Sequence, residues 1–422
     1  MNKNHLNEDP SCMDDFDPNS LPAEAALEKI KASIQIVNGS ETVSLHEALN
    51  RVLVEDVIST IDVPTAANSA MDGYAISSVD IPKTGTVDLT VLGTAWAGKP
   101  LNKSVETGSC SRIMTGAVLP KGTDTVVIQE NTQRNNDKVT IDSRTVKGDN
   151  VRMAGEDFAK DDLIVNAGTY LSPAHIGLIA SSGISEVNLR RKIRVTFFST
   201  GDELRSIGES LEEGCIYDSN RYTLFAMLTR LGVEITDQGV IKDNKQAIED
   251  AFHAASINAD VVITTGGVSV GEADFVKETL AKIGEVGFWK VAIKPGRPLS
   301  FGKVNDACFF GLPGNPVSVM VTFYQFVQPA LKLMMGIQDY TSQTFRVVCA
   351  SFLKKRPGRL EYQRGLLSRD NSGQLIVHKT GAQGSGILSS MAQANCFIIL
   401  PIENDGVTAG ETVEVQPFFG IV

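Results

Sequence analysis

Between Ile193 and about Met335 the chain alternates short apolar runs with segments of helical periodicity, and this alternation constrains the fold more than any other feature. Residues 195–198, 233–240 and 260–264 read as strands, and residues 221–231, 245–257 and 274–283 read as helices. Strands separated by helices pair in parallel, because the helix carries the chain back across one face of the sheet. The expected product is an α/β domain with a mostly parallel sheet covered on both faces. Ligands of such sheets bind beyond the carboxyl ends of the strands.

A chain of 422 residues exceeds what one core usually holds, so two to four domains are expected. Residues 1–21, rich in Asn, Asp, Pro and Ser, are expected to be a disordered leader. Pro22, Ala23, Ala26, Leu27, Ile30 and Ile34 predict a helix, and residues 22–57 together with 151–189 are expected to form a linking helical and extended segment. Residues 58–150 carry short β-rich pieces between Gly, Asn and Asp turns and predict a β domain. The α/β domain takes residues 190–337, and the β-like text of 338–422 predicts a C-terminal β barrel or sandwich.

The 42% hydrophobic content is that of a globular protein, and no apolar run approaches the ~20 residues that span a bilayer. A net charge of -11 disfavours a nucleic-acid binder, which needs a basic face. Six scattered cysteines lack the paired spacing of a zinc or redox motif. A cytoplasmic protein without nucleic-acid or membrane partners is the expectation, and any anion must be held by local cations.

Four stretches could supply a site. The run Thr265-Gly266-Gly267-Val268-Ser269 to Asp274 joins a strand to a helix, which suits either a tight turn or an oxyanion bound by backbone N–H groups. Asp202, Glu203, Asp218 and Asp243 fall at strand ends or helix starts, where they are read as caps and loop charges or as oxygen donors for Mg²⁺ and a phosphate. Residues 288–294 alternate so that Trp289, Val291 and Ile293 share one face and Lys290 and Lys294 the other, and Arg297 adds a third cation just beyond. Gly311-Leu312-Pro313-Gly314-Asn315-Pro316 ends an apolar strand and opens a long apolar helix.

Taken in order, Asn68 to Ala75, Arg112 to Ala117, Arg152 to Phe158, Ser199 to Leu204, Asp218 to Arg221, the glycine turn, Lys294-Pro295-Gly296-Arg297-Pro298 and Leu312 to Pro316 resemble the MoeA-type molybdopterin molybdenumtransferases, the family that includes the gephyrin E domain. The resemblance covers nearly everything after Leu21. It implies an enzyme that inserts molybdate into adenylylated molybdopterin with Mg²⁺-dependent release of AMP. It also implies a homodimer with the site between subunits, an upstream molybdopterin adenylyltransferase and downstream molybdoenzymes or chaperones.

Carried over residue by residue, the resemblance gives Asp72, Thr115, Asp157, Glu203, Asp243 and Asp274 catalytic roles, with Glu203, Asp243 and Asp274 as metal ligands. Ser269, Lys290, Lys294 and Arg297 would hold anions, Pro313 and Pro316 would shape the pocket, and Arg364 and Ser385 would reach it from the C-terminal domain. Two other activities compete with this reading. An adenylyltransferase would carry a Gly-Gly-Thr-Gly turn and an Arg-Asp pair where this chain has Gly266-Gly267-Val268-Ser269 and Glu272-Ala273-Asp274; a scaffold would keep the fold while binding other proteins.

Overall fold

The computed structural model describes residues 20–267, 275–288, 290–337 and 340–418. The chain divides into two compact units, Ser40–Leu189 and a second made of the residues up to Gly39 together with those from Arg190 onward.

In the unit Ser40–Leu189, a six-stranded sheet runs in the order Thr125–Ile128, Gly73–Ile76, Ser109–Ile113, Thr86–Ala95, Lys138–Asp142, Gln133–Asn135. Only the pair Thr86–Ala95 and Ser109–Ile113 is parallel. Alternation along the strands builds two cores: Tyr74, Ile76 and Val127 point to one face, Ala75 and Val126 to the other. A further core gathers Leu45, Leu53, Val57, Val165, Ile179 and Leu189 around the helix Pro173–Ser181. That helix starts where Ser172 accepts from the His175 N–H and Pro173 occupies the first turn, and Gly183 follows it at φ +80°.

In the other unit the sheet order is Glu234–Ile241, Arg194–Thr200, Val261–Thr265, Ala307–Leu312, Ser300–Val304, Gly284–Phe288. The first four strands are parallel, and the last two extend the sheet as antiparallel neighbours. Both faces are covered, as adjacent residues of one strand show. Phe197, Ile263 and Phe310 enter one core with Leu224, Leu228 and Phe323, whereas Phe198, Val262 and Phe309 enter the other with Ile248, Phe252 and Leu280. Phe252 meets the Phe198 and Phe309 rings edge-on at centroid distances of 5.2 and 5.5 Å.

The helix Ala23–Ser33 buries Ala26 and Ile30 in the first of these cores, so it packs with the α/β sheet. Leu21, at the end of the expected leader, is already paired: its N–H donates to Lys290 O and its carbonyl accepts from Ala292 N. Trp289 lies outside the described residues, and the described residues of 288–294 do not form one strand. Phe288 ends a strand of the α/β sheet, while Ile293–Lys294 pairs in parallel with Leu360–Glu361. The expected alternation nevertheless persists, with Val291 and Ile293 buried and Lys290 and Lys294 half-buried. The helix after Pro316 continues to Met334 through a π-helical turn at Phe323–Val327.

The C-terminal strands close into a five-stranded barrel in the order Leu360–Arg369, Leu375–Lys379, Phe345–Cys349, Thr412–Pro417, Cys396–Leu400 and back to Leu360–Arg369. The ten-residue strand Leu360–Arg369 closes it by pairing with Cys396–Leu400 through its first half and with Leu375–Lys379 through its second. Gly365 is the pivot shared by both pairings. A β-carbon there would lie 2.8 to 2.9 Å from Ile398, Val377 and Cys396, so no larger residue fits.

Candidate functional site

At the carboxyl ends of the parallel strands, a cavity of 780 Å³ is lined by Thr200, Glu203, Asp218, Asn220, Asp243 and Gly267, among others. It lies where such sheets bind ligands, because the strand ends leave loops and helix starts facing the same space. Residues picked out on the sequence meet there, among them Glu203, Asp218, Asp243, Pro313 and Pro316.

The glycine turn shapes one wall. Gly266 and Gly267 adopt φ +82° and +63°, and β-carbons on them would meet Thr200 O at 2.4 Å and Thr200 Oγ1 at 2.7 Å. Only a residue without a side chain lets this turn lie so close to the neighbouring strand end. Ser269 and Asp274, the next residues expected in the site, lie outside the described residues.

The acidic residues of the opposite loops approach one another. Asp243 N donates to Asp202 Oδ1 at 3.2 Å, and the Glu203 carboxylate folds over Gly201. Burial, followed by the charges of Asp202 and Glu203, raises the Asp243 carboxyl above the usual carboxylate range. Among the described residues no group of three His, Cys, Asp or Glu side chains is arranged to hold a metal.

Beyond these, the cavity wall contains three polar side chains: Asp218, read on the sequence as a helix cap or an oxygen donor, and Thr200 and Asn220, which were given no site role there. Thr200, Asp218 and Asn220 are 3%, 2% and 8% exposed. Asp218 caps the helix Ser219–Leu231, its Oδ1 accepting from Arg221 N at 3.1 Å, and Asn220 Nδ2 donates to Gly314 O at 2.6 Å. Among the described residues, Thr200 Oγ1, Asp218 Oδ2 and Asn220 Oδ1 have no hydrogen-bond partner. A signal for Asn220 existed in the sequence: it precedes Leu224, Met227 and Leu228 at helical spacing, which puts an amide on the buried face.

The cations take different positions. Lys294 Nζ is 3.5 Å from the buried Glu361 carboxylate. Arg364 is 1% exposed; its guanidinium donates to Ser390 Oγ, Gly384 O and Ala382 O, and burial lowers its pKa to about 10. It therefore braces the loop that continues to Ser385, whose carbonyl accepts from Val317 N in the helix after Pro316, and to Gly386, which lines the cavity. Lys290 and Arg297 are half-buried, and the Arg297 carbonyl accepts from Val291 N and Leu299 N.

The remaining expected residues are in the unit Ser40–Leu189. Asp72 Oδ1 accepts from the Thr115 N–H at 2.7 Å and from its hydroxyl at 2.8 Å. These two bonds hold the Asp72 carboxyl below its ordinary range. Asp157 is exposed.

Three family models match successive parts of the chain: the MoeA N-terminal region (domain I and II) over residues 21–183, a probable molybdopterin binding domain over 196–333, and the MoeA C-terminal region (domain IV) over 346–418. A molybdopterin molybdenumtransferase of Haemophilus influenzae is 44% identical over 94% of this chain and 98% of its own length. One from a Nostoc species is 37% identical over 89% of this chain and 88% of its own. The crystal structure of a molybdopterin biosynthesis moeA protein from Pyrococcus horikoshii is similar over 94% of this chain and 100% of that one, with 30% identity and a TM-score of 0.80.

Proposed function

The chain belongs to the molybdopterin molybdenumtransferase family, and from that membership we propose that it inserts molybdate into adenylylated molybdopterin with Mg²⁺-dependent release of AMP. The observation that carries this reading is the cavity itself. An acidic loop pair and a glycine turn face one space at the strand ends of a domain matched to molybdopterin binding.

In the reaction, water oxygen adds to the adenylyl phosphorus as the phosphoanhydride P–O bond breaks, giving AMP and the molybdopterin phosphate, and the two thiol groups of molybdopterin bind molybdenum as their two protons leave with one molybdate oxygen as water. The donor chemistry fits Mg²⁺, which prefers hard oxygen ligands and completes its shell with substrate phosphate and water. Asp243 and Glu203 would hold it, with Asp274 as the third carboxylate of the proposal. The Asp243 carboxyl is raised by burial and then by the charges of Asp202 and Glu203, and a cation bound there would offset both, which supports this choice. When bound, the ion would neutralise charge on the phosphate bridge.

The chain's own residues do the rest. Lys290, Lys294, Arg297 and Ser269 bind phosphate or molybdate oxygens, Pro313 and Pro316 keep the wall rigid, and Arg364 holds the loop that carries Ser385. Asp72, Thr115 and Asp157 orient the reacting groups in a site completed by a second copy of the chain in a homodimer. The protein acts in the cytoplasm, after an adenylyltransferase and before the enzymes that take the finished cofactor.

AMP release from adenylylated molybdopterin by the purified protein with Mg²⁺, with and without molybdate, tests the proposal. Molybdate-dependent release with a product that activates a cofactor-free molybdoenzyme is expected. Retained substrate binding without turnover would point to a scaffold, and AMP transfer from ATP to molybdopterin would point to an adenylyltransferase.

A further inference from the structure

We propose that Thr200, Asp218 and Asn220 form the subsite that reads the pyrimidine edge of the pterin ring. This rests on the reading that the cavity takes a molybdopterin substrate, and it assigns one part of that substrate to named atoms.

A buried polar group without a partner is costly, so native structures rarely keep one that nothing satisfies. Among the described residues, three such atoms lie on residues lining one cavity: Thr200 Oγ1, Asp218 Oδ2 and Asn220 Oδ1. Their chemistry is specific. Asp218 Oδ2 belongs to a carboxylate whose other oxygen is committed to Arg221 N, and Asn220 Oδ1 belongs to an amide whose nitrogen is committed to Gly314 O. Both open atoms can only accept hydrogen bonds, whereas the Thr200 hydroxyl can also donate.

The complementary ligand edge presents two donors and an acceptor. Pterin has this set in its 2-amino group, N3–H and 4-oxo oxygen. Adenine does not: its single amino group is flanked by ring nitrogens that only accept, so two protein acceptors there would face repulsion. Guanine shares the pterin pattern and is the nucleotide source of the same chemistry.

The positions are also fixed before ligand arrives. Asp218 is held as a helix cap, Asn220 by the turn that carries Pro313, and Thr200 by the sheet, so little ordering remains to oppose binding.

The experiment titrates the full-length protein with fluorescent 6-hydroxymethylpterin and with 6-hydroxymethyllumazine, which carries a carbonyl in place of the 2-amino group. Asp218→Asn keeps the helix cap, because Asn caps as well as Asp, but replaces one acceptor by a donor. It should weaken pterin binding by about tenfold or more and shift preference toward lumazine. Thr200→Val, nearly the same shape, should weaken pterin binding without that shift. Unchanged pterin affinity in both folded variants overturns the proposal. So does a loss confined to AMP binding, a loss that disappears when Mg²⁺ is chelated, or GMP binding more tightly than pterin. The AMP-release assay of the wild-type protein reports separately: turnover with unaffected variants sinks the subsite alone, whereas absent turnover sinks the reading on which it rests.

Discussion

Lys294 Nζ stands 3.5 Å from the Glu361 carboxylate across the parallel pairing of Ile293–Lys294 with Leu360–Glu361. Glu361 is buried and also accepts from Gln363 Nε2 at 2.9 Å, so the carboxylate is fixed while the lysine is half-exposed. An anion held by Lys294, as proposed above, would compete with Glu361 for this ammonium. Glu361→Gln retains an acceptor for Gln363 and removes the competing charge. Half-saturation by molybdate should fall by about two- to fivefold, the range set by an ion pair worth up to ~1 kcal/mol. Steady-state kinetics over molybdate concentration check this, and a rise would show that Glu361 positions Lys294 instead of competing for it.

Asp243 gives the site an acid limb. Its carboxyl titrates above the ordinary range because of burial and the neighbouring Asp202 and Glu203 charges, so it gains its negative charge only at a higher pH than a free aspartate. Glu203→Gln removes one repelling charge, which lowers the Asp243 pKa and moves the acid limb of the pH–rate profile for AMP release to lower pH. A limb that stays in place would assign it to another group. The linkage has a matching sign for stability: a carboxyl with a raised folded pKa stabilises the fold below its unfolded pKa and loses that contribution as pH rises through the folded value. Asp243→Asn should therefore melt slightly higher than wild type at pH 8, with the gain vanishing near pH 4.

At the other end of the same sheet Asp260 behaves oppositely. Burial pushes its carboxyl up, but hydrogen bonds from the Arg191 guanidinium at 2.7 and 2.8 Å and from Arg194 N at 2.8 Å outweigh it and lower the pKa. Its stabilisation is present above the unfolded aspartate pKa and is lost as pH falls through the folded one. Asp260→Asn should cost about 1–3 kcal/mol at neutral pH. Denaturant unfolding of both proteins at pH 7 and pH 3 would show the difference shrinking in acid; a constant difference would trace the cost to lost packing.

Phe252 tests the core behind the site. It is fully buried and edge-on to Phe198 and Phe309, so Phe252→Ala should destabilise the protein by about 3–5 kcal/mol. A cost below ~1 kcal/mol in urea unfolding would mean that the helix Lys245–Ser256 collapses into the space without penalty.

Much of the architecture was legible because it is local. The pairs Phe197 and Phe198, Val262 and Ile263, and Phe309 and Phe310 put apolar side chains on both faces of their strands, which only a covered sheet accommodates. Pro173, Asp218 and Asn244 mark helix starts through their own backbone and capping chemistry, and the glycines at 266 and 267 mark a turn that a β-carbon would block. Motif order likewise carried the family.

Other features belonged to the tertiary structure alone. Barrel closure depends on Gly365 meeting Ile398 and Cys396 of one strand and Val377 of another, a contact with no local signature. The split of residues 288–294 between two sheets, the capture of Lys294 by Glu361 and the docking of Ala23–Ser33 on the α/β core are pairings between distant parts of the chain. The same holds for Thr200, Asp218 and Asn220. Residue type tells which hydrogen bonds each can make, but which valences stay open depends on the groups that fold against them, and those are set only when the chain has closed around the cavity.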